Sequence, residues 1–543
     1  MTPRSSVAAA LLLALTLSIP GRAAMIDPTR LPASGWTGNV GIPGGIPTDY
    51  RMFCNVKVSI PGTKLLAAGN GETDDSPAIN FAVQHCSNHR YVYLPAGIYR
   101  LDRGIVRQGV NRYDKIQRPF SIEIRGDGPA ATKLLFFGHG TAISFVPANG
   151  EDGQTMRILG GDARGSTSLR LDSISPYFIP NIYAVIHRLN AQATDGHDPH
   201  YMIDTASQMV KVTAIHRASG KISFSPALNE AYPSDYLTIG ISAPYRCGIE
   251  NLYIENRTAS GGHNIAIEYG QECWIRNVES NRASKWHIRL QSCARCEVRE
   301  CYVHDGWDGG GDSIYGVGLF QFCCNNLIEN NIAWHCRHSY VTEYGGQGNV
   351  FGYNYSKDPI NESQLHTDYL MGDLIHHGGE PRWNLWEGNV AADIKFDCVL
   401  GGSGYNTAFR NQIQRKGLPI TTVANFGSDI QRWNYNENLV GNVYEAPPPG
   451  YSGPLRRWGS DQDDTSNLDP RSQATAILDG ECDVQQGTVV WAEANHILPD
   501  SYYLKAKPAW FGNLAWPPID PNHPLASGTA SIPAGQRWLS RAP

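Results

Sequence analysis

The chain has 543 residues, 41% of them hydrophobic, enough to bury a full core, which excludes a chain that stays disordered for lack of apolar residues. A formal charge of -6, with no run rich in Lys or Arg, argues against a basic nucleic-acid-binding surface, so no nucleic-acid partner is expected. The 56 Gly and 34 Pro favour a turn-rich β protein over a helical one.

The first residues, "MTPRSSVAAALLLALTLSIPGRAA", carry one Arg, an apolar stretch from Val7 to Ile19 and small residues near Ala23. That pattern is a signal peptide over 1–23, since the apolar stretch is shorter than the roughly 20 residues a bilayer span needs. Export is therefore expected, to the periplasm or outside the cell. No later segment is long and apolar enough to span a membrane, so the mature chain is expected to lack an integral membrane segment. An oxidising compartment lets disulfides persist, and Cys54 and Cys86 are placed to staple the first ordered region. Cys293 and Cys296 spell C-x-x-C without a second pair at zinc-ribbon spacing, so a structural role is preferred to a metal site.

From Gly69 the chain reads "GNGETDDSPAINFAVQHCSNHRYVYLPAGIYRL". Asp74 or Asp75 can cap a helix over Ala78 to Gln84, and Pro95 with Gly97 makes a turn after the strand "YVYL". This stretch resembles the entry segment of the pectate-lyase-like single-stranded right-handed parallel β-helix superfamily, and "IEIRGDGPAATKLLF" from Ile122 resembles its next coil. The resemblance implies a helix capping the N-terminal end of a coil stack. It also implies a carbohydrate-active class of protein, including hydrolases, lyases, epimerase-like proteins and phage tailspikes. Asp74 and Asp75 are then structural. The segment 24–160 is assigned to this cap and the first coils. Over 161–240 longer alternating strands, with a turn at Ser219 and Gly220, break the rhythm and indicate an inserted antiparallel β subdomain.

The repeat itself lies in 241–440. "NLYIEN" from Asn251, "CWIRNV" from Cys273, "CEVREC" from Cys296, "NLIENN" from Asn326, "NVFGYN" from Asn349, "NLWEGN" from Asn384 and "TAFRNQ" from Thr407 start 22, 23, 30, 23, 35 and 23 residues apart. Each unit holds a second short strand, as in "WHIRLQSC" and "SYVTEYGG". Strands recurring in one order at a near-fixed period make a solenoid, so the fold class is all-β. Asn at the segment ends suits tight bends. Stacking places Cys273 under Cys296 and Cys293 under Cys323, compatible with either a thiol ladder or a disulfide. The Pro- and aromatic-rich 441–543 reads as a tail packed on the solenoid.

The units that start 30 and 35 residues apart contain insertions, "HDGWDGGGDSIYG" from His304 and the stretch Asp358 to Arg382, two coils apart and able to wall one cleft. Their candidate catalytic groups are Asp308 and Asp312 in the first and Asp368, Asp373, His376, His377 and Glu380 in the second. Counting back from each coil start puts Arg289, Leu319, Thr342, His377 and Leu400 in one column, and Gln291, Gln321, Tyr344, Gly379 and Gly402 in another. The column between, with Leu290, Phe320 and Gly401, is read as core-facing, which makes Glu343 a buried carboxylate in need of a partner or a shifted pKa. Arg289, Gln291, Gln321, Tyr344, Arg382 and Lys395 are candidate substrate-binding groups. Paired carboxylates suit hydrolysis of a polysaccharide without a cofactor, and this reading is preferred because the loops hold more acids than bases. β-Elimination on a uronate polymer, with His or Lys as base and Ca²⁺ held by Asp or Glu, is the alternative. A non-catalytic carbohydrate-binding or surface protein is the third.

Overall fold

The computed structural model describes residues 26–541 except 110–118, 148–154, 177, 189–195, 197–204, 233–235, 240–243, 260, 308–312, 361–370, 418–425, 452, 462–465 and 525–530. The expected signal peptide, 1–23, lies outside the described residues. Among those described, no helix is long and apolar enough to cross a membrane.

The architecture is a right-handed parallel β-helix. A typical coil has three strands rather than the two expected, for example Leu327–Glu329, Ile332–Trp334 and His338–Glu343. The extra strand arises because each Asn-rich segment breaks at one residue in the left-handed region. Glu300, Asn330, Tyr353, Gly388 and Arg410 hold this corner, with φ of 59°, 57°, 54°, 67° and 50°. The third strands form a ten-stranded wall. The first two strands of each coil make the other walls, joined as one sheet where Gly248–Asn256 and Trp274–Ala283 run through both. Coils continue past residue 440, with Arg456–Trp458, Ile477–Asp479 and Glu481–Asp483 still in register, so the tail starts later than its Pro content indicates.

Most of the Asn residues do not make the bends. They face inward and stack as two amide ladders, Asn326–Asn349–Asn384–Asn406 and Asn331–Asn354–Asn389–Asn411–Asn442. Asn389, for example, accepts from the backbone and side-chain N–H of Asn354 in the coil before and donates to the Phe351 carbonyl, so buried backbone groups beside the corner are satisfied without water.

The helix Ser76–His85 lies at the N-terminal end of the stack and buries Ala78, Ile79, Ala82 and Val83 in the coil core. Asp75 accepts from the Ala68 and Gly69 amides at 2.6 and 3.0 Å, and Asp74 accepts from the Ser76 amide at 3.0 Å. Six antiparallel strands between Thr155 and Ile239 close into a small barrel with its own core around Phe178, Val210, Phe224 and Leu237. The barrel rests on the turns that follow the ten-stranded wall. Lys211 pairs with Glu272 at 2.5 Å, and Tyr232 and Asn229 bond the Gln347 amide at 3.3 and 3.2 Å.

Candidate active site

The outer face of the ten-stranded wall carries three rows of side chains at one coil per step. The first is Trp286, Tyr315 and His338, and the second is Arg289, Gly318, Val341, Ile375 and Lys395. The third is Gln291, Phe320 and Glu343, continued by His377 and Asp397, which follow the paired residues His376 and Phe396. The backbone ladder carries this row on, with the His377 amide donating to the Thr342 carbonyl at 2.9 Å and the Asp397 amide to the His376 carbonyl at 3.2 Å. Glu343, His377 and Asp397 are thus consecutive in space, although 34 and 20 residues separate them in the chain.

A cavity of about 400 Å³ opens on these rows, lined by His263, Lys285, Trp286, Arg289, Tyr315, Phe320, Glu343, Tyr344, His377 and Leu400. Its floor is aromatic, with Trp286 5.0 Å from Tyr315 and Phe320 edge-on to Tyr344 at 5.1 Å. The Arg289 guanidinium lies 4.2 Å from the Phe320 ring centre and 3.4 Å from His263 Nε2. The barrel reaches the same edge, where His187 meets Phe322 edge-on at 5.4 Å.

His377 Nδ1 is 2.6 Å from the Asp397 carboxylate, itself only 2% exposed. Burial acts against the charged imidazole, but contact with Asp397 and the nearby Glu343 charge outweigh it and raise the His377 pKa above the ordinary value. Beside it, at 5.4 Å between rings, His338 is held neutral: burial first, then the charges of Arg337 and His377, push its pKa far down. Adjacent imidazoles whose pKa values are pushed in opposite directions suit a site that moves protons.

Gly318 makes the floor possible. A Cβ there would stand 2.0 Å from Trp286 Cζ3 and 2.8 Å from Val341 Cγ1. Gly318→Ala is expected to push the indole into the cavity and cost about 1–3 kcal/mol through overpacking. Lower affinity for substrate together with a lower thermal midpoint would show it.

The sequence-derived candidates separate here. Glu343 does not face the core: it pairs in register with Phe320 and lines the cavity with Arg289, Tyr344 and His377. Gln291 and Gln321 bond each other at 3.0 Å at the end of the Gln291–Phe320 row. Lys395 stands two coils beyond Val341 in the second row. His376 points inward, stacked on Phe396 at 4.3 Å and accepting from the Trp386 indole at 2.9 Å, so burial drives its pKa far below normal. Asp373 is also interior, accepting from Ser356 Oγ at 2.8 Å and the Ala392 amide at 2.7 Å, with burial raising its pKa. Both were assigned to an insertion, yet Leu374–His376 is a strand of the wall. Glu380 and Arg382 pair at 2.8 Å, and Arg382 reaches Glu230 of the barrel at 3.7 Å, so they join barrel to coils. Asp308, Asp312 and Asp368 lie outside the described residues. Sequence reasoning missed His263, Lys285, Trp286, Tyr315, Phe320 and Asp397. Pairing the third strands directly, instead of counting back across the turns, would have put Asp397 beside His377.

A family model described as Rhamnogalacturonase A/epimerase, pectate lyase-like, matches residues 63–311. No curated protein matches the chain in sequence. Among solved structures, the tailspike gp61 of Pseudomonas phage phi297 is similar at 13% identity and a TM-score of 0.51, covering 71% of this chain and 58% of that one. The tailspike gp49 of Pseudomonas phage LKA1 is similar at 15% identity and a TM-score of 0.48, covering 68% of this chain and 57% of that one. The chain therefore spans a little over half the length of these tailspikes. At such identities the likeness to the solved structures concerns the fold alone, that of a parallel β-helix, and the resemblance to the pectate-lyase-like family is carried by the match over residues 63–311.

Proposed function

We propose that the protein is an enzyme that cleaves glycosidic bonds of a uronate-containing polysaccharide by β-elimination at Glu343 and His377. One observation carries this reading: the Glu343–His377–Asp397 row shares its cavity with Lys285 and Arg289. Sequence reasoning preferred hydrolysis because acids outnumber bases in the loops. In the described lining the balance reverses, with one carboxylate, Glu343, against Lys285 and Arg289.

In this mechanism Lys285 and Arg289 neutralise the uronate carboxylate and the negative charge that develops on it. Glu343 takes the proton from the carbon next to that carboxylate, a C=C bond forms, and the C–O bond to the neighbouring sugar breaks. His377, whose acid form Asp397 favours, gives its proton to the leaving oxygen. The aromatic floor offers Trp286 and Tyr315 as faces for sugar rings. Among the described residues no three or more carboxylate, imidazole or thiol groups converge to hold a cation.

Purified protein incubated with a panel of uronate and neutral polysaccharides is expected to produce new reducing ends together with ultraviolet absorbance from the unsaturated sugar. Reducing ends without that absorbance would replace elimination by hydrolysis. Neither signal, with binding retained, would indicate the non-catalytic reading.

The pH dependence follows from the sign of the His377 shift. Its acid form is present below the raised pKa and is lost as pH rises through it, so kcat should fall on the alkaline side. Asp397→Asn removes the charge that sustains the shift and should move that limb to lower pH. An unmoved limb would show that another group titrates there.

A further inference from the structure

Cys247, Cys273 and Cys296 form one file of sulfur atoms inside the stack, and Cys293 and Cys323 form a second. Both lie at the turn leading from the ten-stranded wall to the next coil. All five are at most 1% exposed and all are thiols in this structure. The Cys247 amide donates to Cys273 Sγ at 3.4 Å, the Cys273 amide to Cys296 Sγ at 3.3 Å, and the Cys293 amide to Cys323 Sγ at 3.4 Å. The thiols themselves donate to backbone carbonyls, Cys247 to Phe120 at 3.1 Å, Cys273 to Pro244 at 3.5 Å, Cys293 to Ile267 at 3.3 Å, Cys296 to Gly270 at 3.5 Å and Cys323 to Leu290 at 3.3 Å.

Cys296 hands its column directly to the first amide ladder, its amide donating to Asn326 Oδ1 at 2.8 Å. An amide oxygen is the stronger acceptor, so for satisfying the turns alone Asn would serve better than Cys. Sulfur at these positions offers what an amide cannot, a covalent bond. Stacked positions in successive coils have Cα atoms about 4.8 Å apart, inside the roughly 4.4–6.8 Å that a disulfide spans. Cys323 ends its file, and its sulfur lies against Cys293 of the coil before, whose amide donates to it at 3.4 Å.

We propose that Cys293 and Cys323 become a disulfide when the chain folds in the presence of a small-molecule disulfide oxidant. The bond fastens together the two coils that supply Trp286, Arg289, Tyr315 and Phe320 to the cavity. One cysteine thiolate attacks the oxidant's S–S bond and releases one thiol, and the second thiolate then displaces the other. The two cysteines lose two electrons and two protons, and the oxidant leaves as two thiols. Burial requires the bond to form before the coils close and shields it from reductants afterwards. The bridge joins the two coils where the Ser292 amide already donates to the Phe320 carbonyl and the Cys324 amide to the Cys293 carbonyl, both at 2.9 Å, so it needs no movement of the backbone register.

The test refolds the full chain with a reduced/oxidised glutathione couple or with excess reductant, alkylates free thiols under denaturing conditions and maps tryptic peptides by mass. Cleavage after Arg289 and Arg295 isolates Cys293 on its own peptide, Leu290 to Arg295. The expected product joins that peptide to the one carrying Cys323, two hydrogens lighter than the separate thiols, with a higher thermal midpoint than the reduced protein. Cys323→Ser should abolish the cross-link and Cys324→Ser should leave it. Full alkylation of Cys293 in correctly refolded protein, a Cys293–Cys296 bond, or a cross-link lost with Cys324→Ser instead of Cys323→Ser would each overturn the proposal. The wild-type map decides the matter even if a variant does not fold.

Discussion

Glu343→Gln is expected to lower kcat by about 10²–10⁴-fold, the usual worth of a positioned general base, while KM changes little. Gln keeps the size and polarity of the side chain but cannot take a proton at neutral pH. The proposed sugar-facing groups Trp286, Arg289 and Tyr315 are untouched, so binding should survive. A second readout separates this role from a structural one. The Glu343 charge helps to hold the His377 pKa up, so its removal should also shift the alkaline limb of any residual activity to lower pH. A variant with wild-type kcat would remove Glu343 from the chemistry. One that lost activity only together with its thermal midpoint would make it a packing residue, a real alternative for a side chain 6% exposed.

Much of the fold is legible in the sequence because a solenoid repeats its hydrogen-bonding solution every coil. The Cys and Asn residues that open the segments from Cys273 to Asn384 stack in one column, and their spacing in the chain marks the coil period. The site was not legible in the same way, because the turns after the third strand vary in length. From the inward residues Leu290, Leu319, Thr342, His376 and Phe396 to the next ladder residues Cys296, Asn326, Asn349, Asn384 and Asn406, the distance is 6, 7, 7, 8 and 10 residues. A fixed count back from the coil start therefore slips by a residue or more between coils, and one residue in a strand exchanges the inner face for the outer. That slip sent Glu343 to the core and separated His377 from Asp397. It also hid the different fates of neighbouring histidines: His376, at a strand end, is inward and held by Trp386, while His377 faces the cavity. Composition pointed to the acidic loops, yet polar groups inside a β-helix also serve its ladders, as Asp373 does.

Asn389→Leu is expected to destabilise the protein by about 3–5 kcal/mol, among the largest effects of a single substitution. Asn389 is fully buried, and its Oδ1 accepts from the Asn354 amide and side chain at 2.9 and 3.0 Å. Its Nδ2 donates to the Phe351 carbonyl and Asn411 Oδ1, both at 2.9 Å. Leu fills similar space but leaves the Asn354 backbone N–H, the Asn354 amide and the Phe351 carbonyl without those bonds, at roughly 1–3 kcal/mol for each group not otherwise satisfied. Asn411 Oδ1 still accepts from the Asn389 backbone at 3.0 Å, so that side of the ladder loses less. Asn389→Asp isolates the two halves of the interaction. It keeps the acceptor for Asn354 but replaces the donor to Phe351 with a second acceptor, bringing oxygens together in the core, and should destabilise increasingly as pH rises and the new carboxyl ionises. Urea unfolding at several pH values measures both. Because each coil contacts mainly its neighbours, the loss should show first as earlier unfolding of the coils from Val350 to Ile413 rather than as a uniform shift. A Leu variant unfolding within about 1 kcal/mol of wild type, below the cost of even one stranded group, would mean that the ladder fills space and contributes little through its hydrogen bonds.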